Sequence, residues 1–104
     1  MKNWREYKKF HFIGIGGIGM SALARLLKTH SRTISGSDGT QSDITDALKK
    51  EEILISIGHD ESNIPIDTDC VIYTLAIDDD NPELVTAKEN KIPIYTYAEM
   101  LGNV

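Results

Sequence analysis

Between His11 and Leu27 the chain reads HFIGIGGIGMSALARLL, and this stretch limits the available folds more than any other. Aromatic and β-branched residues from Lys9 to Ile13 predict a strand. Gly14, Gly16, Gly17 and Gly19 follow. Ile18, Ala22, Leu23, Leu26 and Leu27 then fall at helical spacing and predict the apolar face of a helix that ends around 28–31. A strand, a glycine turn and a helix start together make an anion-binding unit. The turn admits a phosphate to the backbone, and the helix start offers unpaired N–H groups at a positive dipole end. Gly14-x-Gly16-x-x-Gly19 matches the dinucleotide fingerprint in its required setting. In that pattern Gly14 permits the tight turn, Gly16 lets a phosphate reach the backbone, and Gly19 lets the helix pack on the strand.

The rest of the chain repeats the alternation. A second strand is expected over 32–36, with Ser37-Asp38-Gly39 as a turn. Ser42 is the N-cap of a second helix, with Asp43 and Asp46 in its first turn and Ile44, Ala47 and Leu48 as its stripe. Strands are expected over 53–57 and 70–75, separated by a loop with Pro65 and room for one helical turn. Asn81-Pro82-Glu83 is a strong helix start, and 92–95 reads as an edge strand because of Pro93. Thr96 and Glu99 form a capping box, so a last helix begins there and the sequence stops a few residues into it, which reads as a truncation. The polar N-terminal arm carries Trp4 and Tyr7, expected to cover an edge of the core. The expected fold is α/β: a Rossmann-like, doubly wound, mostly parallel five-stranded sheet with helices on both faces, in one domain over 1–104.

Eleven basic and sixteen acidic residues give a net charge of −5. That argues against non-specific nucleic-acid binding, which needs a basic face. It also means that backbone amides, not a Lys/Arg cluster, must hold an anion. No apolar run approaches the ~20 residues of a membrane span and no signal-peptide core is present, so a cytoplasmic protein without membrane contact is expected. The single Cys70 excludes an intrachain disulfide and lies in an apolar strand, where it reads as a small buried hydrophobe.

In doubly wound folds ligands bind outside the carboxyl ends of the strands. The segments at those ends are 14–19, 36–39, 58–59 and 74–77. Asp38 stands 19 residues after Gly19, where an acidic side chain meets a ribose hydroxyl in nucleotide-binding folds. Ser-Asp-Gly is also a turn whose Asp can bond its own backbone, but position and residue type together favour the ligand role. His59 follows Gly58 on the same edge. The sequence fixes no nucleophile or partner carboxylate beside it, so it is not read as a general base. Asp78-Asp79-Asp80 precedes a helix start and reads as a solvated cap, not a metal site. No G-x-x-x-x-G-K-[ST] loop is present, and no Ser-His-Asp or Cys-His arrangement. By these residues the chain is a binding domain with no catalytic residue and no metal site of its own.

Taken together, HFIGIGGIGMSALA, Ser35-Gly36-Ser37-Asp38, Ile57-Gly58-His59-Asp60, Leu75-Ala76-Ile77 and Asp80-Asn81-Pro82-Glu83 resemble the N-terminal domain of the UDP-N-acetylmuramate–L-alanine ligases of the Mur ligase family. The resemblance runs from about His11 to Leu101. The related ligases that attach recycled tripeptide are similar but usually less glycine-rich here. The resemblance implies a three-domain cytoplasmic enzyme of peptidoglycan synthesis whose first domain holds the UDP part of UDP-N-acetylmuramic acid. ATP, Mg2+ and the catalytic groups are then expected in the other domains, which this chain lacks. Carried over by position, Gly16, Gly17, Ile18, Gly19, Met20 and Ser21 surround the diphosphate. Asp38, with Ser37 beside it, meets the ribose or uracil. His59, Thr74, Ala76 and Ile77 line the nucleotide or sugar. Leu75 departs from the family, which often has Ser there. The alternative reading, from the shared glycine pattern, is an NAD(H)-binding domain of a dehydrogenase or regulatory protein.

Overall fold

The computed structural model describes residues 3–104; Met1 and Lys2 of the expected arm lie outside the described residues. The elements run β1 (Lys9–Ile13), α1 (Ile18–Thr29), β2 (Thr33–Asp38), α2 (Asp43–Lys50), β3 (Leu54–Ile57), β4 (Cys70–Tyr73), α3 (Pro82–Glu89), β5 (Ile94–Thr96) and α4 (Tyr97–Leu101). Single 3-10 turns form at Trp4–Glu6 and Glu61–Asn63. The five strands make one sheet in the order β3-β2-β1-β4-β5, every pairing parallel. The order reverses between β1 and β4, which makes that junction the topological switch point of the sheet.

Side chains alternate across β1. Phe10 and Phe12 join the larger core with Leu23, Ala24 and Leu27 of α1, Leu48 of α2 and Met100 of α4. Ile13 points the other way and packs with Val71, Leu84 and Ala87 under α3. The helices therefore cover both faces, as a parallel sheet requires. The larger core also takes in Trp4 and Tyr7, both buried. The guanidinium groups of Arg5 and Arg32 lie over the Trp4 ring, at 4.7 and 5.1 Å from its centroid. Cys70 is fully buried, and burial, with nearby Asp69, pushes its thiol up to about 12. It is inert packing.

Several expected boundaries move. β2 continues through Asp38, because Ser37 and Asp38 stay paired with Ser56 and Ile57 of β3. The turn starts at Gly39 instead. β4 ends at Tyr73, where the Thr74 carbonyl accepts from the Ile77 amide and closes a turn. β5 begins after Pro93, which has no N–H to give, although its carbonyl accepts from Val71 at 2.9 Å. In α1 the buried face is Met20, Leu23, Ala24 and Leu27, while Ile18, Ala22 and Leu26 are exposed. The expected stripe included all three, but Ile18, Ala22 and Leu26 stand four apart on one ridge of the helix, and the packed face is centred on the neighbouring one.

One glycine outside the fingerprint sets the height of the loop. A Cβ on Gly36 would stand 2.5 Å from Ile15 Cδ1 and 2.8 Å from Ile15 Cβ. Ile15 is fully buried there, held by its own amide and that of Gly14 on the Ser37 carbonyl, at 2.9 and 2.8 Å. The contact with a Cβ cannot be relieved by a rotamer change. Gly36→Ala is therefore expected to destabilise the chain by about 1–3 kcal/mol. A lower urea midpoint at unchanged m-value would show it, and an unchanged midpoint would mean that the loop yields freely.

Candidate functional site

The site is a ledge along the carboxyl ends of β1, β2, β3 and β4. Gly14 takes φ +90°, a conformation that glycine reaches without strain, and turns the chain out of β1. Gly17 is the N-cap of α1 and has no side chain with which to cap it. The amides of Ile18, Gly19 and Met20 have no hydrogen-bond partner among the described residues. The other three helices are closed: Ser42, Asn81 and Thr96 each accept from backbone amides at their starts, and each has an acid in its first turn. α1 has neither a cap nor an acid. Its positive end is left open.

Asp38 lies across from this opening. Its Oδ2 accepts from the Gly16 amide at 2.8 Å and its Oδ1 from the Thr40 amide at 3.1 Å. The carboxylate thus ties β2 to the glycine loop while bonding its own turn, as the turn reading of this residue expects. A Cβ on Gly16 would meet Asp38 Oδ2 at 2.7 Å, which is why that position must be bare. Gly19 has a role beyond the one expected: a Cβ there would stand 2.7 Å from Tyr97 Oη and 2.8 Å from Tyr97 Cζ, so its bareness makes room for the Tyr97 side chain at the start of α4.

The remaining positions gather around the loop. A Cβ on Gly14 would touch Ile77 and Thr74, which places both beside the turn, with Ala76 exposed next to them. Thr74 Oγ1 accepts from the Ala76 amide at 3.2 Å. The Ser21 hydroxyl is turned back to the Ile18 carbonyl at 3.0 Å, and its amide already bonds Gly17. Met20 offers only its amide, because its side chain is in the core. A cleft of 580 Å³ between the 61–68 loop and α3 holds none of these residues. Asp78, Asp79 and Asp80 are exposed ahead of the Asn81 cap.

Beneath the ledge lies a buried polar cluster that the sequence reading missed. Glu83 is fully buried, though it reads locally as a first-turn helix acid. Its Oε1 is 2.5 Å from His11 Nε2 and accepts from Ser37 Oγ at 2.7 Å. Its Oε2 is 3.1 Å from His59 Nδ1 and accepts from Asn63 Nδ2 at 3.1 Å and the Asp60 amide at 3.3 Å. Here is the partner carboxylate of His59, 24 residues away in sequence. His11 Nδ1 in turn lies 2.8 Å from Ser35 Oγ. The available signal was periodic: Ser35 and Ser37 stand two apart in a central strand, on the same face as His11 opposite Ser35 in register. Two hydroxyls and an imidazole on one buried face demand a polar partner.

Burial by itself pushes the Glu83 carboxyl up, but hydrogen bonds from His11, Ser37 and Asn63, and the charge of His11, outweigh it and hold it at about 2. The folded value lies below the ordinary 4.5, so its contribution to stability is complete above pH 4.5 and is lost as pH falls toward 2. Glu83→Gln is expected to cost about 3 kcal/mol at neutral pH and to flatten that acid limb. Urea unfolding across the pH range checks both. An acid limb of unchanged steepness would show that Glu83 does not titrate in this window.

The arrangement is thus an open helix start beside a carboxylate and an imidazole, on the edge where doubly wound folds bind nucleotides. The family model described as "Mur ligase family, catalytic domain" matches residues 9–104. The chain belongs to the Mur ligase family. It is 52% identical over 97 residues to the UDP-N-acetylmuramate–L-alanine ligase of Clostridium botulinum strain Alaska E43, covering 93% of this chain and 21% of that one. The enzyme of the same name from Acetivibrio thermocellus is 50% identical over 99 residues, covering 95% of this chain and 21% of that one. Among solved structures, the UDP-N-acetylmuramate-alanine ligase of Thermotoga maritima superposes with a TM-score of 0.87 at 40% identity, covering 89% of this chain and 21% of that one. The chain spans about a fifth of the length of the curated relatives that it matches. Membership of this ligase family decides against the NAD(H)-binding alternative that the glycine pattern left open. No helix among the described residues is long and apolar enough to cross a membrane.

Proposed function

We propose that this chain is the part of a cytoplasmic, ATP-dependent Mur ligase that binds UDP-N-acetylmuramic acid, to whose muramoyl carboxylate the full-length enzyme joins L-alanine in peptidoglycan synthesis. The observation that carries this reading is the open start of α1. Three unpartnered amides and a bare dipole end face the ledge, in a chain whose other helices are all capped. The diphosphate lies over Gly16, Gly17, Ile18, Gly19, Met20 and Ser21. The nucleoside extends toward Asp38 and His59, with Ser37 beneath them, and Thr74, Ala76 and Ile77 form the opposite wall. The names of the relatives support L-alanine as the acceptor and the muramate nucleotide as the ligand.

ATP and Mg2+ belong, in this proposal, to parts of the full-length enzyme beyond this chain. The residues present do not suit them. The sequence has no phosphate loop of the G-x-x-x-x-G-K-[ST] kind, and the described residues include no cluster of His, Cys, Asp and Glu arranged to hold a metal. This chain therefore grips and orients the substrate, and activation of the carboxylate takes place elsewhere.

Titration of 15N-labelled chain with UDP-N-acetylmuramic acid, UDP and NADH tests the reading. The amides of residues 16–21 are expected to shift with the two uridine nucleotides, and shifts with NADH alone would sink it. In Gly16→Val the new side chain displaces Asp38, so binding should be lost from a chain that still folds. Retained affinity would remove the glycine loop from the site.

A further inference from the structure

The protons of the buried cluster can be placed by elimination. Glu83 is ionised, and an ionised carboxylate only accepts. Ser37 Oγ is 2.7 Å from Glu83 Oε1, a separation that two oxygens hold only with a hydrogen between them, so the Ser37 hydroxyl donates to Glu83. That leaves Ser37 Oγ facing His59 Nδ1 with its lone pairs, at 3.1 Å. Glu83 Oε2 faces the same nitrogen, also at 3.1 Å. His59 Nδ1 sees two acceptors and no donor, so it carries the proton. The other ring nitrogen, Nε2, has no hydrogen-bond partner among the described residues. It points past Gly39, where a Cβ would stand 3.8 Å from it, at the end of β2 beside Asp38.

We propose that Glu83 is a positioning residue that fixes the His59 ring with its proton on Nδ1 and so presents Nε2 to the ledge as a hydrogen-bond acceptor. Its counterpart is an N–H or O–H donor on the nucleoside half of the ligand. The ligand half of this statement rests on the function proposed above; the tautomer half does not. Glu83 suits the task because it is anchored independently of His59. His11 holds the same carboxylate from β1, and Asn63 and the Asp60 amide clamp it from the segment that follows His59. Asn63 Nδ2 also donates to the Gly58 carbonyl at 2.9 Å, closing that segment around the imidazole. The ring is thus held on one edge and open on the other, as in metal and catalytic sites where a carboxylate fixes the tautomer of a histidine.

Long-range 1H–15N correlation of the imidazoles, at about pH 8 where a free imidazole is neutral, reads the tautomer directly in the unaltered chain. A protonated Nδ1 and a bare Nε2 on His59 are expected; a protonated Nε2 overturns the proposal, and this result does not depend on any variant folding. UDP affinity then reads the coupling. Glu83→Gln and His59→Ala should each weaken UDP about tenfold, the worth of one hydrogen bond. The double variant should be no weaker than either alone, because both remove the same contact. Losses that multiply would make Glu83 a purely structural residue. UDP carrying a methyl on the base N3, 2′-deoxy-UDP and 3′-deoxy-UDP remove the three nucleoside donors one at a time: the analogue that lacks the donor His59 reads should lose its sensitivity to His59→Ala. If all three keep that sensitivity, no nucleoside donor meets Nε2, and the ligand half fails. If UDP does not bind the unaltered chain at all, the function proposed above fails together with the ligand half, while the imidazole spectrum still decides the tautomer.

Discussion

A charge fully removed from water must be held from several sides, and in this chain the Glu83 carboxylate imposes that demand. It hangs from the first turn of α3, yet its donors come from β1, β2 and the segment after β3. Taking a carboxylate out of water costs several kcal/mol unless each oxygen is satisfied. The helix can therefore dock in only one rotational setting, the one that brings Oε1 to His11 and Ser37 and Oε2 to His59 and Asn63. The apolar contacts of Leu84 and Ala87 would tolerate a small slide of α3, but the carboxylate does not. This one interaction registers the helix against the sheet and, through His59, registers the sheet against the ledge.

The ledge itself follows from where the sheet reverses direction. Between β1 and β4 the connections leave to opposite faces, so no helix covers the crevice between them. The Ser37 carbonyl draws the Gly14 and Ile15 amides down onto β2, and bare Gly36 lets Ile15 sink far enough to do so. Asp38 then holds the Gly16 amide. The loop is stitched to a neighbouring strand at three successive amides before α1 begins, so the three open amides that follow are presented by a rigid base.

Much of this was legible because it is local. Caps, glycine spacing and alternation act over a few residues, and Ser42, Asn81, Thr96 and Gly14 do in the structure what their neighbours in sequence imply. The doubly wound parallel sheet followed from the alternation of element types and the handedness of crossovers, whereas the spatial order of its strands comes from the structure. What stayed hidden is long-range. Glu83 has a sufficient local explanation as a first-turn acid, and nothing within a few residues says that it is buried against a histidine 72 positions earlier. Gly19 likewise fits its familiar role next to the strand, but Tyr97, which requires its bareness, lies at the far end of the chain. Strand ends shifted for a similar reason, since pairing with a neighbour kept Ser37 and Asp38 extended where their own preferences favour a turn.

The open amides at the head of α1 have a kinetic side. They attract an anion through partial charges whose reach is about one helical turn. The chain around them carries −5, whose repulsion extends over a Debye length of about 8–10 Å. An incoming polyanion therefore meets resistance first and attraction only on near contact. A lysine-lined phosphate site draws its ligand in and loses that advantage as salt rises; at this ledge salt instead eases the approach. Its chemistry suits holding an anion on near contact, not gathering one by long-range pull.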